Sequence, residues 1–367
     1  MKKTIIFASL LGICASAHAQ NSVTLYGLIE SGLTYSNNQE GKKSYQMVSG
    51  TNTGSRWGMK GTEDLGGGYK AIFTLENGFD SFTGALGQGG RMFGRQAFVG
   101  MTGPFGTVTV GRQYDAIYDG IGPYTTNYLY GGGYFAHAND VDNTDGGFRV
   151  NNAVKYVSPN VAGFTLEGFY SLGGVAGDFS NSQVWGATLN YAHGPFSGGI
   201  GYERINNPAT VEVDGYLSGG GYTNVIYGPY LAAARNQQIF GAGVAYAIGN
   251  ANLLANYTHV LFAGGQLAGD AKFDNFEVGA AYSFTPELQG VLSYNYTDAV
   301  DDANSSSSRY HQFNAMADYA LSKRTDIYAQ AVYQHAVGAA QLAQIAGLDA
   351  SSSRSQLALR IAFRHRF

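Results

Sequence analysis

The side chains with the strongest capacity for chemistry in this chain are cations at matching strand positions. Arg56, Gly58 and Lys60 alternate on one face of a segment, Arg95 shares a face with Ala97 and Val99 in another, and Arg149 ends a long connection. That connection begins after Gly111-Arg112-Gln113-Tyr114 and carries Asp115, Asp119, Asp140, Asp142 and Asp145. An Arg facing lipid at mid-depth would cost about 2–4 kcal/mol, so each of these cations belongs in an aqueous lumen or at a rim. Fixed cations facing acids across a narrow passage would set up a transverse field, and rings of charge set ion preference in this way. The same residues could instead be independent rim charges.

Catalytic chemistry has no comparable signal. His137, His193, His259, His311, His335 and His365 are scattered, and no His-Glu-x-x-His or Gly-x-Ser-x-Gly spacing occurs. No enzyme activity, cofactor or metal is expected. Nucleic acid is an unsuited partner too, because no basic block occurs.

The elements that must position these charges are strands. From Leu357 the odd positions read Leu357, Leu359, Ile361, Phe363, His365, Phe367, and the even ones Gln356, Ala358, Arg360, Ala362, Arg364, Arg366. A period of two, apolar on one side and cationic on the other, is a strand between two different media. The pattern recurs in Lys272 to Phe284, Leu288 to Thr297 and Tyr310 to Ala320, where the polar faces are rich in Gly, Ala, Ser, Asn and Gln. Small polar side chains leave room for water, whereas a dry core would demand bulk.

Connections alternate in length. Short ones carry turn residues: Leu65–Gly68, Gly103–Gly106, Ser158–Asn160, His193–Pro195, Ile248–Asn250, Thr285–Glu287 and Leu321–Arg324. Longer polar stretches lie at Asn37–Thr51, Asn206–Arg235, Ala263–Asp270, Asp298–Ser308 and Gly338–Ser353. Sixteen strands are expected, starting near Val23, Ser55, Tyr69, Arg91, Gly106, Asn151, Phe164, Gln183, Ser197, Gln237, Asn252, Lys272, Leu288, Arg309, Thr325 and Ser355. Sixteen antiparallel strands closed on themselves enclose water. The connection of more than thirty residues after Tyr114 is too aromatic for disorder, with Tyr124, Tyr128, Tyr130, Tyr134 and Phe135. Its length alone leaves two readings, a loop folded into the lumen or an external loop.

Composition agrees with an all-β transmembrane barrel. Charged residues are 13% of the chain, while Gly (53), Tyr (27) and Phe (21) are abundant. No stretch after the N-terminal segment reaches ~18 apolar residues, so no transmembrane helix is expected. Residues 1–19 read as a cleaved signal peptide: Lys2 and Lys3, an apolar run from Thr4 to Ala15, then Ala17-His18-Ala19. The barrel then occupies 20–367. The single cysteine, Cys14, falls within the signal, so no disulfide staples the mature chain. The formal charge of −4 becomes about −6 on loss of Lys2 and Lys3, which leaves 20 basic against 26 acidic side chains.

Six stretches carry a family resemblance: S-V-T-L-Y-G-L-I-E at Ser22–Glu30, G-S-R-W-G-M-K-G-T-E-D-L-G-G-G at Gly54–Gly68, R-Q-A-F-V-G at Arg95–Gly100, F-G-T-V-T-V-G-R-Q at Phe105–Gln113, N-N-A-V-K-Y at Asn151–Tyr156, and the final F-R-H-R-F. The chain resembles the trimeric general porins of Gram-negative outer membranes, of the neisserial and beta-proteobacterial type. The resemblance implies a sixteen-stranded barrel with both termini periplasmic, a homotrimer, and a third loop folded into the lumen. It also implies passive diffusion of ions and small hydrophilic solutes, contact with outer-membrane lipid and lipopolysaccharide, and insertion by the barrel-assembly machinery. Arg56, Arg95 and Arg149 match the family's wall arginines by position. Lys60 is expected beside them, with Asp115 and Asp119 where the constricting loop begins. The P-E-F-G signature of some members has no clear counterpart, so the loop acids are placed by position alone. Phe367 resembles the family's assembly signal. Counted at the constriction, these charges lead to an expected weak anion preference.

Overall fold

The computed structural model describes residues 22–212 and 223–367; the signal-peptide segment lies outside the described residues. Seventeen strands are found among them. They are β1 (Ser22–Gln39), β2 (Lys42–Ser49), β3 (Arg56–Gly66), β4 (Tyr69–Gly78), β5 (Gln96–Gly103), β6 (Gly106–Gln113), β7 (Val150–Val157), β8 (Phe164–Ser171) and β9 (Val184–His193). The series continues with β10 (Phe196–Asn206), β11 (Asn236–Ile248), β12 (Ala251–Ala263), β13 (Ala271–Ser283), β14 (Leu288–Asp301), β15 (Ser306–Ser322), β16 (Thr325–Gly338) and β17 (Ser355–Arg366). β2 and β3 are two pieces of one wall position: β2 pairs with the second half of β1 and β3 with its first half. From β3 onward each strand pairs antiparallel with its sequence neighbour, and β17 pairs back onto β1 from Leu28↔Arg366 to Ser36↔Ala358. The result is a closed sixteen-position barrel, the form in which strands satisfy their backbone groups in lipid.

The faces alternate as the sequence period predicts. In β17, Leu359, Ile361 and Phe363 are exposed while Gln356, Ala358, Arg360, Ala362 and Arg364 are buried. In β13, Phe276, Val278 and Tyr282 are exposed while Asn275 and Glu277 are buried. Apolar side chains outside and polar ones inside invert a soluble protein and match a wall bathed in lipid.

Three expectations need correcting. Asn37–Thr51 is not an open loop: β1 and β2 form a hairpin across it, turning at Glu40 (φ 52°) and Gly41 (φ 88°). The fourth wall strand starts at Gln96 and not near Arg91. Asp298–Ser308 is likewise mostly strand, since β14 runs to Asp301 and β15 starts at Ser306. Short helices lie between strands: α1 (Ala116–Gly120), α2 (Pro208–Val211) and α3 (Gly228–Ala233).

Candidate functional site

The predicted arginines converge. Arg56 opens β3, Arg95 immediately precedes β5, and Arg149 immediately precedes β7. Glu76 on β4 lies opposite Gly58 in the sheet. A side chain at Gly58 would meet the Tyr26 ring and hydroxyl at 2.9 Å, so glycine there leaves room for Tyr26 to cross the strand. Tyr26 Oη donates to Glu76 Oε2 at 2.9 Å, and Arg95 Nε donates to Glu76 Oε1 at 2.8 Å. Arg56 Nη1 stands 4.0 Å from the same carboxylate, and Arg56 Nε donates to the Gly54 carbonyl.

Tyr114 joins the other two cations. Arg95 Nη2 and Arg149 Nη2 each donate to its hydroxyl oxygen at 2.6 Å, and the Arg149 guanidinium sits 4.5 Å from the ring centroid. Burial alone would raise the Tyr114 phenol, but Arg149, Arg95 and Arg56 together pull it below its ordinary value. Three guanidiniums thus share one carboxylate and one phenol.

Arg95 reaches this cluster by leaving the strand phase. Val99 is 60% exposed on the outer side, so Arg95 cannot share its face as the sequence phase suggests. Because Arg95 precedes β5, its backbone is free of the strand alternation and its side chain turns to the buried side. Lys60 is exposed, with Nζ 5.5 Å from the Tyr26 ring centroid, closer to the short-turn end of β3 than Arg56.

The predicted acids have other partners. Asp115 caps α1, accepting from Tyr118 N at 2.8 Å, and also accepts from Asn143 Nδ2. Burial, with Asp119 nearby, pushes its carboxyl up to about 6. Asp119 is ion-paired with Lys155 on β7, whose Nζ is also 3.8 Å from Glu167. The loop acid that Arg149 and Arg95 act on is Asp145; burial outweighs them and pushes it up to about 7. Lys155 lies inside the N-N-A-V-K-Y stretch, which was its one sequence signal.

The connection from Tyr114 to Arg149 is tied to the buried face of the wall on many strands. Asn256 on β12 donates to the Tyr124 carbonyl at 3.1 Å, Asn295 on β14 to Phe135 at 2.7 Å, Gln312 on β15 to Tyr134 at 3.1 Å and Gln330 on β16 to Gly131 at 2.7 Å. These buried amides bind loop backbone. The strongest tie is ionic: His137 Nδ1 lies 2.6 Å from Asp142 Oδ2, and His137 Nε2 lies 3.3 Å from Glu277 Oε2 on β13. Burial disfavours the imidazolium, yet Asp142 and Glu277 raise His137 to about 10, and His137 in turn holds Asp142 below its ordinary value despite burial. The Gly338–Ser353 connection packs here too, with Ile345 and Leu348 in one buried cluster with Tyr134 and Phe135.

Sequence reasoning also missed a second cation group. Arg360 is ion-paired with Glu30 and donates to Thr34, while Arg364 reaches Asp326 at 2.9 Å and Asp318 at 3.0 Å. Their place on the cationic face of the last strand was the available signal.

Residues 7–339 match the Gram-negative porin family. The chain belongs to the Gram-negative porins. An outer membrane porin of Bordetella pertussis is 30% identical over 91% of this chain and 94% of its own length. Outer membrane porin protein 32 of Delftia acidovorans is 30% identical over the full length of both. Among solved structures, an anion-selective porin from Comamonas acidovorans superposes with TM-score 0.77 at 26% identity, covering 95% of this chain and all of that one. OmpT of Vibrio cholerae shares the fold at TM-score 0.68 and 14% identity. The family, the closed barrel and its apolar outer belt agree on an outer-membrane porin with a transmembrane channel.

Proposed function

We propose that this porin is an anion-preferring diffusion channel whose narrowest part lies between the Arg56–Arg95–Arg149 cluster and the Tyr114–Arg149 loop folded into the lumen. One observation carries the reading: three guanidiniums share a single carboxylate, Glu76, and a single phenol. While Asp145 is protonated, below its raised value of about 7, that leaves two uncompensated positive charges beside the path. Charge at a low-dielectric constriction governs a permeating ion, whereas loop acids farther than the ~8 Å Debye length are screened. The mature chain's negative net charge is therefore a poor guide. The anion selectivity named for the Comamonas acidovorans porin supports the same direction.

The assembly is proposed to be a homotrimer in lipid and lipopolysaccharide, with periplasmic termini and residues 1–19 removed. Phe367 is proposed to be the signal read by the assembly machinery. It closes the last rung, exchanging backbone hydrogen bonds with Gly27 at 3.0 and 3.1 Å. The fold and the charge cluster suit conduction, and catalysis is not part of the proposal. The reversal potential of the reconstituted porin under a KCl gradient tests the reading: an anion-sided potential is expected, and a cation-sided one would overturn it.

A further inference from the structure

Beside the arginine cluster runs a short aromatic file. The Tyr114 and Tyr118 rings stack at 3.9 Å between centroids and 16° between planes, and Tyr118 meets Tyr128 at 4.9 Å. Two glycines clear space for it. A side chain at Gly146 would press on Tyr118 and Tyr114, and one at Gly122 on Tyr128. The file is graded in exposure: Tyr114 is buried against Arg95 and Arg149, while Tyr128 is 37% exposed. Arg56 keeps 22% side-chain exposure and holds Glu76 only at 4.0 Å, so it is the cation of the cluster most open to an incoming anion. Arg56 shares Glu76 with Arg95, which donates to Tyr114 at the buried end of the file.

Channel selectivity for small anions needs charge alone. A stacked file of rings that joins the cluster at Tyr114 and ends exposed, with a loosely held guanidinium in the same cluster, offers something more specific, a flat apolar face together with a carboxylate partner. We propose that the constriction contains a subsite for small aromatic carboxylates, with Arg56 taking the carboxylate and the Tyr118–Tyr128 edge of the file taking the ring. The inference rests on the anion-pore reading and deepens it to a substrate class. Offset and edge-to-face aromatic pairing exceeds plain area burial by roughly 2- to 10-fold in binding, which sets the expected discrimination.

The test uses the full-length porin in planar bilayers, measuring block of the chloride current by benzoate and by cyclohexanecarboxylate, two anions of equal charge and similar size. Benzoate should block at a concentration about 2- to 10-fold lower. Tyr128→Leu should bring the two to equality, Tyr128→Phe should keep them apart, and Arg56→Gln should weaken block by both in parallel. Heat-modifiable migration of each variant confirms that it has folded. Equal block by the two anions in an anion-preferring wild-type channel overturns the aromatic subsite alone. A cation-sided reversal potential overturns the anion-pore reading beneath it.

Discussion

His137 is the residue whose removal should most disturb the loop. It is fully buried between Asp142 of its own loop and Glu277 of the wall. Its rise from 6.5 to about 10 corresponds, at 1.36 kcal/mol per pKa unit, to about 5 kcal/mol favouring the charged, latched form. A group raised in the folded state gives its full stabilisation below its ordinary value and loses it as pH climbs through the raised one. The latch should thus hold unchanged below pH 6.5, weaken above it and fail near pH 10. Single-channel recordings should show steady current at neutral pH and growing open-channel noise between pH 9 and 11. His137→Leu leaves two buried carboxylates unpaired, a loss of about 3–5 kcal/mol, and should be noisy already at pH 7. The triple variant His137→Leu, Asp142→Asn, Glu277→Gln removes the stranded charges and should be quieter than the single one. A His137→Leu channel as quiet as wild type at pH 7 would refute the latch.

Three further outcomes are expected. Asp145, pushed up to about 7 beside Arg149 and Arg95, carries its negative charge mainly above that pH, so anion preference should be stronger at pH 5 than at pH 8.5; Asp145→Asn should flatten this reversal-potential difference, and a persistent slope would assign it to other groups. Val278 is exposed on the outer face midway along β13, so Val278→Arg should cost about 2–4 kcal/mol and lower the urea midpoint, whereas an unchanged midpoint would deny lipid contact there. Deleting Phe367 removes the rung it shares with Gly27 and should reduce outer-membrane yield as read by heat-modifiable trimer on gels; unchanged yield would exclude the assembly role.

Legibility in the sequence followed the contrast between the two media. Where one face meets lipid and the other water, as in β13 and β17, the period of two is clear and strand starts agree closely with the structure. Lys42–Ser49 escaped notice because most of its side chains are exposed whichever way they point, which erases the alternation. Arg95 was assigned the wrong face because the strand was started five residues early, which placed Arg95 inside an alternation that begins only at Gln96. The arginine types and positions were legible, but their partners were not. Glu277 lies 140 positions from His137, and Asp119 turns to Lys155, pairings that only the closed sheet brings about. The buried Asn and Gln ladder read as water-lining, since an amide that will bind a loop carbonyl looks the same in sequence as one that will bind water.

On the proposed reading, the arginine cluster sets the ion preference. Arg56 and Arg149 are the informative pair, because Arg95 is the closest partner of Glu76 and its loss would strand that carboxylate. The decisive measurement is the reversal potential under a KCl gradient for wild type and for Arg56→Gln, Arg149→Gln. At pH 5, where Asp145 is protonated, removing two charges leaves one guanidinium against one carboxylate, so the wild-type potential should be anion-sided and the variant close to zero. A potential that is the same in both would contradict the account and place the selectivity elsewhere along the pore.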